Sequence, residues 1–149
     1  MLPTQHNVCL IDDDNIYQFT ARKILESTGM AKQIQSFYNG KEAISYLKAE
    51  GKLHPEALPD VIFLDINMPV MNGWEFLEEY NNVSSNLPKQ IVVYMVSSSI
   101  DDNDIRKSKE YKSVSDYIVK PVDRRKFQEL IGNLWSSNPQ LINIPLFNS

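Results

Sequence analysis

The sequence holds a single cysteine, Cys9. One thiol excludes an internal disulfide and a cysteine-rich metal site. Cys9 lies in the apolar run Val8-Cys9-Leu10-Ile11 and reads as a small buried hydrophobe in a strand. Only five glycines occur in the chain. No glycine-rich loop follows an apolar run, which removes the usual nucleotide phosphate cradle. No apolar run approaches the ~20 residues of a membrane span. The opening Met1-Leu2-Pro3-Thr4-Gln5-His6 lacks the basic patch and apolar stretch of a signal peptide. These absences give the expectation of a cytoplasmic protein that does not engage a membrane. The charge imbalance is small, a formal net charge of -4, and its sign argues against a broad nucleic-acid surface. No internal repeat or low-complexity segment is present.

What is present is an alternation. At 149 residues the chain fits one domain with a core that needs no staples. Short apolar runs read as strands at Asn7–Ile11, Lys32–Tyr38, Val61–Leu64, Ile91–Val96 and Ser115–Val119. Between them lie amphipathic stretches. Asn15–Thr28 carries Tyr17, Ala21, Ile24, Leu25 and Thr28 on one stripe, with Gly29 as a stop. A second helix opens at Asn39, with Glu42 three residues on in a box-like pattern, and Ala43, Ile44 and Leu47 form its stripe. Further helices are expected at Gly73–Asn81, around Asp104–Tyr111 with Ile105 and Tyr111 as anchors, and from about Asp123 to Trp135. Gly51 to Pro59 reads as a loop. The run at Val61–Leu64 is apolar on both sides, as a central parallel strand covered by helices requires. Five strands alternating with five helices predict an α/β domain with right-handed crossovers.

In such sheets ligands bind beyond the carboxyl ends of the strands. Asp12-Asp13-Asp14 follow the first run, Asp65 the third, Ser97-Ser98-Ser99 the fourth and Lys120-Pro121 the fifth. Each alone has an ordinary explanation: Asp14 as a helix cap, Ser97 as a loop residue, Lys120 as a surface lysine, Asn72-Gly73 as a turn. Together they place several carboxylates, a hydroxyl and one ammonium on one rim. Two carboxylates about 4 Å apart repel by roughly 4 kcal/mol at an effective dielectric near 20. Lys120 offsets one charge. A hard divalent cation offsets more, and oxygen-only donors favour Mg²⁺.

From Val8 to Trp135 the sequence resembles the response-regulator receiver family of two-component signalling. The motifs are Leu10-Ile11-Asp12-Asp13-Asp14, Phe63-Leu64-Asp65-Ile66-Asn67-Met68-Pro69-Val70-Met71-Asn72-Gly73, Met95-Val96-Ser97-Ser98 and Asp116-Tyr117-Ile118-Val119-Lys120-Pro121. The resemblance implies a doubly wound five-stranded parallel sheet in order 2-1-3-4-5, the flavodoxin-like, CheY-like (βα)5 arrangement. It implies Asp65 as phosphoacceptor. Mg²⁺ would be held by Asp13 directly, by Asp12 mainly through water, by Asp65 and by the backbone carbonyl of Asn67. Ser97 would contact the phosphoryl oxygen and Lys120 would pair with it. Tyr117 would be the aromatic switch whose ring turns inward when Ser97 moves. Ser98 is small, as access to Asp65 requires. Pro69, Gly73 and Pro121 are structural turn residues, and the family pattern makes Lys120–Pro121 a position for a cis bond.

The implied donor is a phosphohistidine on a sensor histidine kinase or histidine phosphotransfer protein. The implied output is a conformational switch read by a downstream protein, with no direct nucleic-acid contact and a monomer or weak dimer. The fourth helix, weakly apolar, is expected to be the easiest element to move. Turnover of an external substrate is not expected. Hydrolases with an aspartyl-phosphate intermediate usually carry a second Asp two residues after the nucleophile, and here that residue is Asn67. Residues 5–135 are expected to form the receiver domain. Residues 136–149 are expected to form a short tail with no effector domain, its apolar part from Leu141 to Phe147 packing back on the domain or meeting a partner.

Overall fold

The computed structural model describes residues 5–134. In chain order the elements are β1 (His6–Ile11), α1 (Asn15–Thr28), β2 (Ala31–Phe37), α2 (Gly40–Leu53), β3 (Val61–Leu64), α3 (Gly73–Ser84), β4 (Val92–Ser97), α4 (Asp102–Ser108), β5 (Val114–Val119) and α5 (Arg124–Gly132). All neighbouring strands pair parallel, and the sheet order is β2-β1-β3-β4-β5. The alternation predicted the five strands and five helices, and the resemblance implied this order.

Side chains alternate across the sheet with the two-residue period of a strand. Val8 and Leu10 of β1, Val61 and Phe63 of β3, and Val92, Tyr94 and Val96 of β4 join one core with Ala21, Leu25, Phe127, Leu130 and Ile131 of α1 and α5. Cys9, Ile11, Ile62, Leu64, Val93 and Met95 join the other core, with Ala43, Ile44 and Leu47 of α2 and Phe76, Leu77 and Tyr80 of α3. The sheet is covered on both faces, which explains why β3 and β4 are buried along their whole length.

Local chemistry fixes the element ends. The Asp14 side chain accepts from the amides of Ile16 and Tyr17, and Gly29 closes α1 at φ 71, a conformation that glycine adopts without strain. At Asn39 the expected box is only half formed. Its side chain accepts from the Glu42 amide, but Glu42 turns back to the Asn39 side chain rather than its backbone. A complete capping box forms at Asn72 and Glu75, where the sequence suggested only a turn. Two expectations need larger correction. The loop expected from Gly51 to Pro59 is partly ordered, because α2 runs on to Leu53 and a single 3-10 turn covers Pro55–Ala57. The fourth helix starts earlier than expected, capped by Asp101, and ends at Ser108. Ser108 is its buried residue, Ile105 is half-buried, and Tyr111 lies beyond the helix, stacked on Trp74 at 5.8 Å. The third helix outlasts its expected end at Asn81 by one turn, to Ser84. Trp135 and the tail to residue 149 lie outside the described residues, so the expectations placed there have no structural counterpart.

Candidate phosphoacceptor site

The strand register builds the site. Ile11 at the end of β1 pairs with Leu64 at the end of β3, so Asp12 and Asp65 leave the sheet level with each other. Across the next seams Leu64 pairs with Met95, and Ser97 pairs with Val119. The Lys120 amide donates to the Ser97 carbonyl at 2.9 Å, which brings the ends of β4 and β5 together. The Lys120–Pro121 peptide bond is cis.

Carboxylate oxygens of Asp12, Asp13 and Asp65 all lie within 4.8 Å of one another. Asp12 and Asp65 are buried and Asp13 is exposed. The Lys120 ammonium sits 2.6 Å from Asp12 Oδ2 and 3.7 Å from Asp65 Oδ1. Asp12 Oδ1 accepts from the Asp14 amide at 2.9 Å. Asp12 is therefore committed on both oxygens, whereas Asp65 is not within hydrogen-bond distance of the ammonium. Burial, and then the charge of Asp12, push the Asp65 carboxyl up to about 6 although Lys120 opposes the shift. A hard cation bound among these oxygens would relieve that repulsion, so the donor set fits Mg²⁺ on its own chemistry.

Ser97 is buried at the end of β4, and its hydroxyl accepts from the Ser99 amide at 3.1 Å. Ser98 is exposed. Tyr117 is half-buried, and its hydroxyl donates to the Ser99 carbonyl at 2.8 Å, tying β5 to the loop before α4. Asn67 is exposed two residues after Asp65. Beyond it the chain folds tightly: the Met71 amide donates to the Pro69 carbonyl at 2.7 Å, and Val70 at the centre has φ 68. This is a γ-turn with a positive φ, costly for a β-branched residue. The chain returns at Gly73, whose amide donates to the Ile66 carbonyl at 2.8 Å. A Cβ there would collide with the Asp65 carbonyl oxygen and lie 2.9 Å from Ile66 Cα. Gly73 thus lets α3 start directly against the segment that carries Asp65.

The family model for the response regulator receiver domain matches residues 8–132. The chain belongs to the response regulator receiver family. A two component response regulator from Cytophaga hutchinsonii superposes with a TM-score of 0.78 at 32% identity, covering 87% of this chain and 96% of that one. The probable methanogenesis regulatory protein FilR2 of Methanothrix harundinacea is 27% identical over 86% of this chain and 82% of its own length. A protein-glutamate methylesterase/protein-glutamine glutaminase of Clostridium acetobutylicum is 33% identical, but the chain spans only 30% of that protein. The response regulator is a two-component signalling protein with a phosphorylatable aspartate cluster, and receiver domains bind Mg²⁺ at that acidic pocket and work with histidine kinases or phosphotransfer proteins. Among the described residues no helix is long and apolar enough to cross a membrane.

Two residues at the site escaped the sequence reading. Gln18 is buried and its Nε2 reaches the carbonyls of Leu10, Asp12 and Phe37 at 3.0–3.3 Å, pinning the end of β1 to α1 and β2. Its signal is a polar residue one place after the apolar stripe begins, too weak to find alone. Tyr17 was read as part of that stripe, yet its ring faces the Lys120 ammonium with 4.1 Å to the centroid. Nothing in the local sequence links positions 103 residues apart.

Proposed function

We propose that Asp65 accepts a phosphoryl group from a phosphohistidine on a sensor histidine kinase or histidine phosphotransfer protein. The observation that carries the reading is the unequal commitment of the two buried acids. Lys120 and the Asp14 amide hold Asp12, while Asp65 keeps an oxygen free of any hydrogen bond to the ammonium. An Asp65 oxygen forms the new bond to phosphorus as the bond to the histidine nitrogen breaks, and the imidazole leaves with the electron pair. Phosphoryl transfer is mostly positioning plus charge stabilisation. Lys120 supplies one positive charge, and Ser97 offers a hydroxyl to the transferred oxygens. Asp12, Asp13, Asp65 and the Asn67 carbonyl would hold Mg²⁺, which when bound supplies further positive charge to the phosphoryl oxygens. Pro69, Gly73 and Pro121 shape the turns that bring these groups into place.

The output would be a shape change read by a downstream protein. Tyr117 and Ser97 both bond to Ser99, one to its carbonyl and one to its amide. A shift of Ser97 towards Asp65 therefore loads the same loop that anchors the Tyr117 ring, and α4 follows that loop. Exposed apolar side chains support a protein partner at the rim: Ile16 and Phe19 open α1, and Val70 and Ile100 lie in the loops after β3 and β4. The family match over residues 8–132 supports one receiver unit over 5–135. We read the protein as a cytoplasmic switch rather than an enzyme acting on an external substrate.

The test is intact-mass measurement after incubation with acetyl phosphate and Mg²⁺. The native chain should gain one phosphoryl group and Asp65→Asn none. Equal labelling of both would remove Asp65 from the role, and rapid hydrolysis of general phosphate esters would favour a hydrolase instead.

A further inference from the structure

We propose that the aromatic face of Tyr17 is a positioning seat for the Lys120 ammonium, holding this cation inside the acid cluster while it changes anionic partners. The proposal deepens the phosphoacceptor reading and rests on it.

The geometry is specific. Lys120 Nζ lies 4.1 Å from the Tyr17 ring centroid, well inside the ~6 Å over which a ring face attracts a cation. The same nitrogen is 2.6 Å from Asp12 Oδ2 and 3.7 Å from Asp65 Oδ1. The ammonium is thus bonded to one acid, short of bonding the second, and faced by a ring. Only 18% of the Lys120 side chain is exposed, so water competes weakly for the cation. The Tyr17 hydroxyl is buried and has no hydrogen-bond partner among the described residues. The position therefore gains nothing visible from the phenol oxygen, and the ring is the part in use.

A phosphoryl group on Asp65 brings new oxygens that compete with Asp12 for Lys120. An ammonium that leaves one anion for another loses a directional hydrogen bond before it makes the next. A ring face attracts the cation without a fixed hydrogen-bond direction, so it keeps hold of the ammonium throughout the exchange. It also blocks the outward swing that would hydrate Lys120. The ordinary alternative is that Tyr17 only fills space. It does lie against the core shared by α1 and α5, and that role alone would be kept by any apolar side chain of similar reach.

Tyr17→Phe and Tyr17→Leu separate the two. Both keep apolar contact with the core, and only Phe keeps the ring. In metal-free protein, NMR of the Lys120 ε-methylene protons should show an upfield ring-current shift that survives in Tyr17→Phe and vanishes in Tyr17→Leu. With acetyl phosphate and Mg²⁺, Tyr17→Phe should label like the native chain, whereas Tyr17→Leu should label roughly tenfold more slowly. Should Tyr17→Leu fail to fold, Tyr17→Met makes the same comparison. Unshifted Lys120 ε-methylene protons in the native chain would overturn the seat. So would native labelling rates in Tyr17→Leu, or equal impairment in Tyr17→Phe, which would assign the effect to the hydroxyl. A native chain that takes no phosphoryl group would instead sink the phosphoacceptor reading, and the NMR comparison would still decide where the ammonium rests.

Discussion

Asp60 and Asp65 stand at the two ends of the same strand, β3, in opposite electrostatic settings. At the base, the Asp60 carboxylate accepts from the Asn7 amide at 2.7 Å and from Lys89 at 2.7 Å, with His6 Nδ1 3.6 Å away. Burial alone would raise its pKa, but His6 close beside it, the hydrogen bonds from Lys89 and Asn7, and the Lys89 charge hold it down to about 2. At the rim, burial and Asp12 push Asp65 up to about 6. The base aspartate is satisfied by groups of the fold itself. The rim aspartate is left wanting positive charge, and in the proposed role that unmet demand is what would let it take a cation and phosphorus. Backbone strain follows the same division, since Val70 with its positive φ lies in the rim loop.

The largest expected effect is functional. Asp65→Asn should abolish labelling by acetyl phosphate, and Asp60→Asn should not; loss of labelling in both would break the division. Next in size is Gly73→Ala. The added Cβ meets backbone of Asp65 and Ile66 rather than a flexible side chain, so the domain should lose about 2–4 kcal/mol in urea unfolding.

The same Asp65→Asn variant should stabilise the metal-free protein by about 1–3 kcal/mol at pH 7. The sign follows from the raised pKa. The folded state holds its proton more tightly than the unfolded state, so the native chain loses stability as pH rises from about 4 to about 6. Urea melts at pH 4 and pH 7 should show the advantage of Asp65→Asn growing with pH. The lowered pKa of Asp60 has the opposite sign. Its contribution is present above pH 4 and fades as pH falls towards about 2. Asp60→Ala should cost about 1–2 kcal/mol at pH 7, allowing for its partial exposure, and less in acid. If both variants shifted stability in the same direction at pH 7, the contrast between the ends would be wrong.

The smallest effect sharpens the contrast. Val70→Gly relieves the positive φ at an exposed position and should stabilise the domain by about 1 kcal/mol. Differential scanning calorimetry would show a raised midpoint, and an unchanged one would mean that the turn carries no strain.

Much of this was legible along the chain because it depends on near neighbours. The β3 run Val61–Leu64 is apolar at every position, and the helix cap at Asp14 and the stop at Gly29 depend on residues within a few places of each other. The full capping box at Asn72 and Glu75 was legible in principle, but Asn-Gly reads more strongly as a turn. The fourth helix was displaced because Ile105 and Tyr111 look like anchors of one stripe. In the fold Tyr111 instead leaves the helix to stack on Trp74, with its hydroxyl on Glu78 at 2.9 Å. That contact joins the segment after α4 to α3 and has no local signature.

By itself the sequence determined the alternation of elements, the two-sided burial of the central strands and the set of polar residues at the strand ends. Periodicity and turn chemistry act over a few residues and need no partner. Only the tertiary structure decided which of those polar groups are committed and which are free. That Lys120 bonds Asp12 and stops short of Asp65, that Tyr17 faces the ammonium, and that Asp60 is quenched while Asp65 is not all depend on parallel strands aligning in register. Electrostatic energy depends on distance and burial, and both are set only when segments far apart in the chain come together.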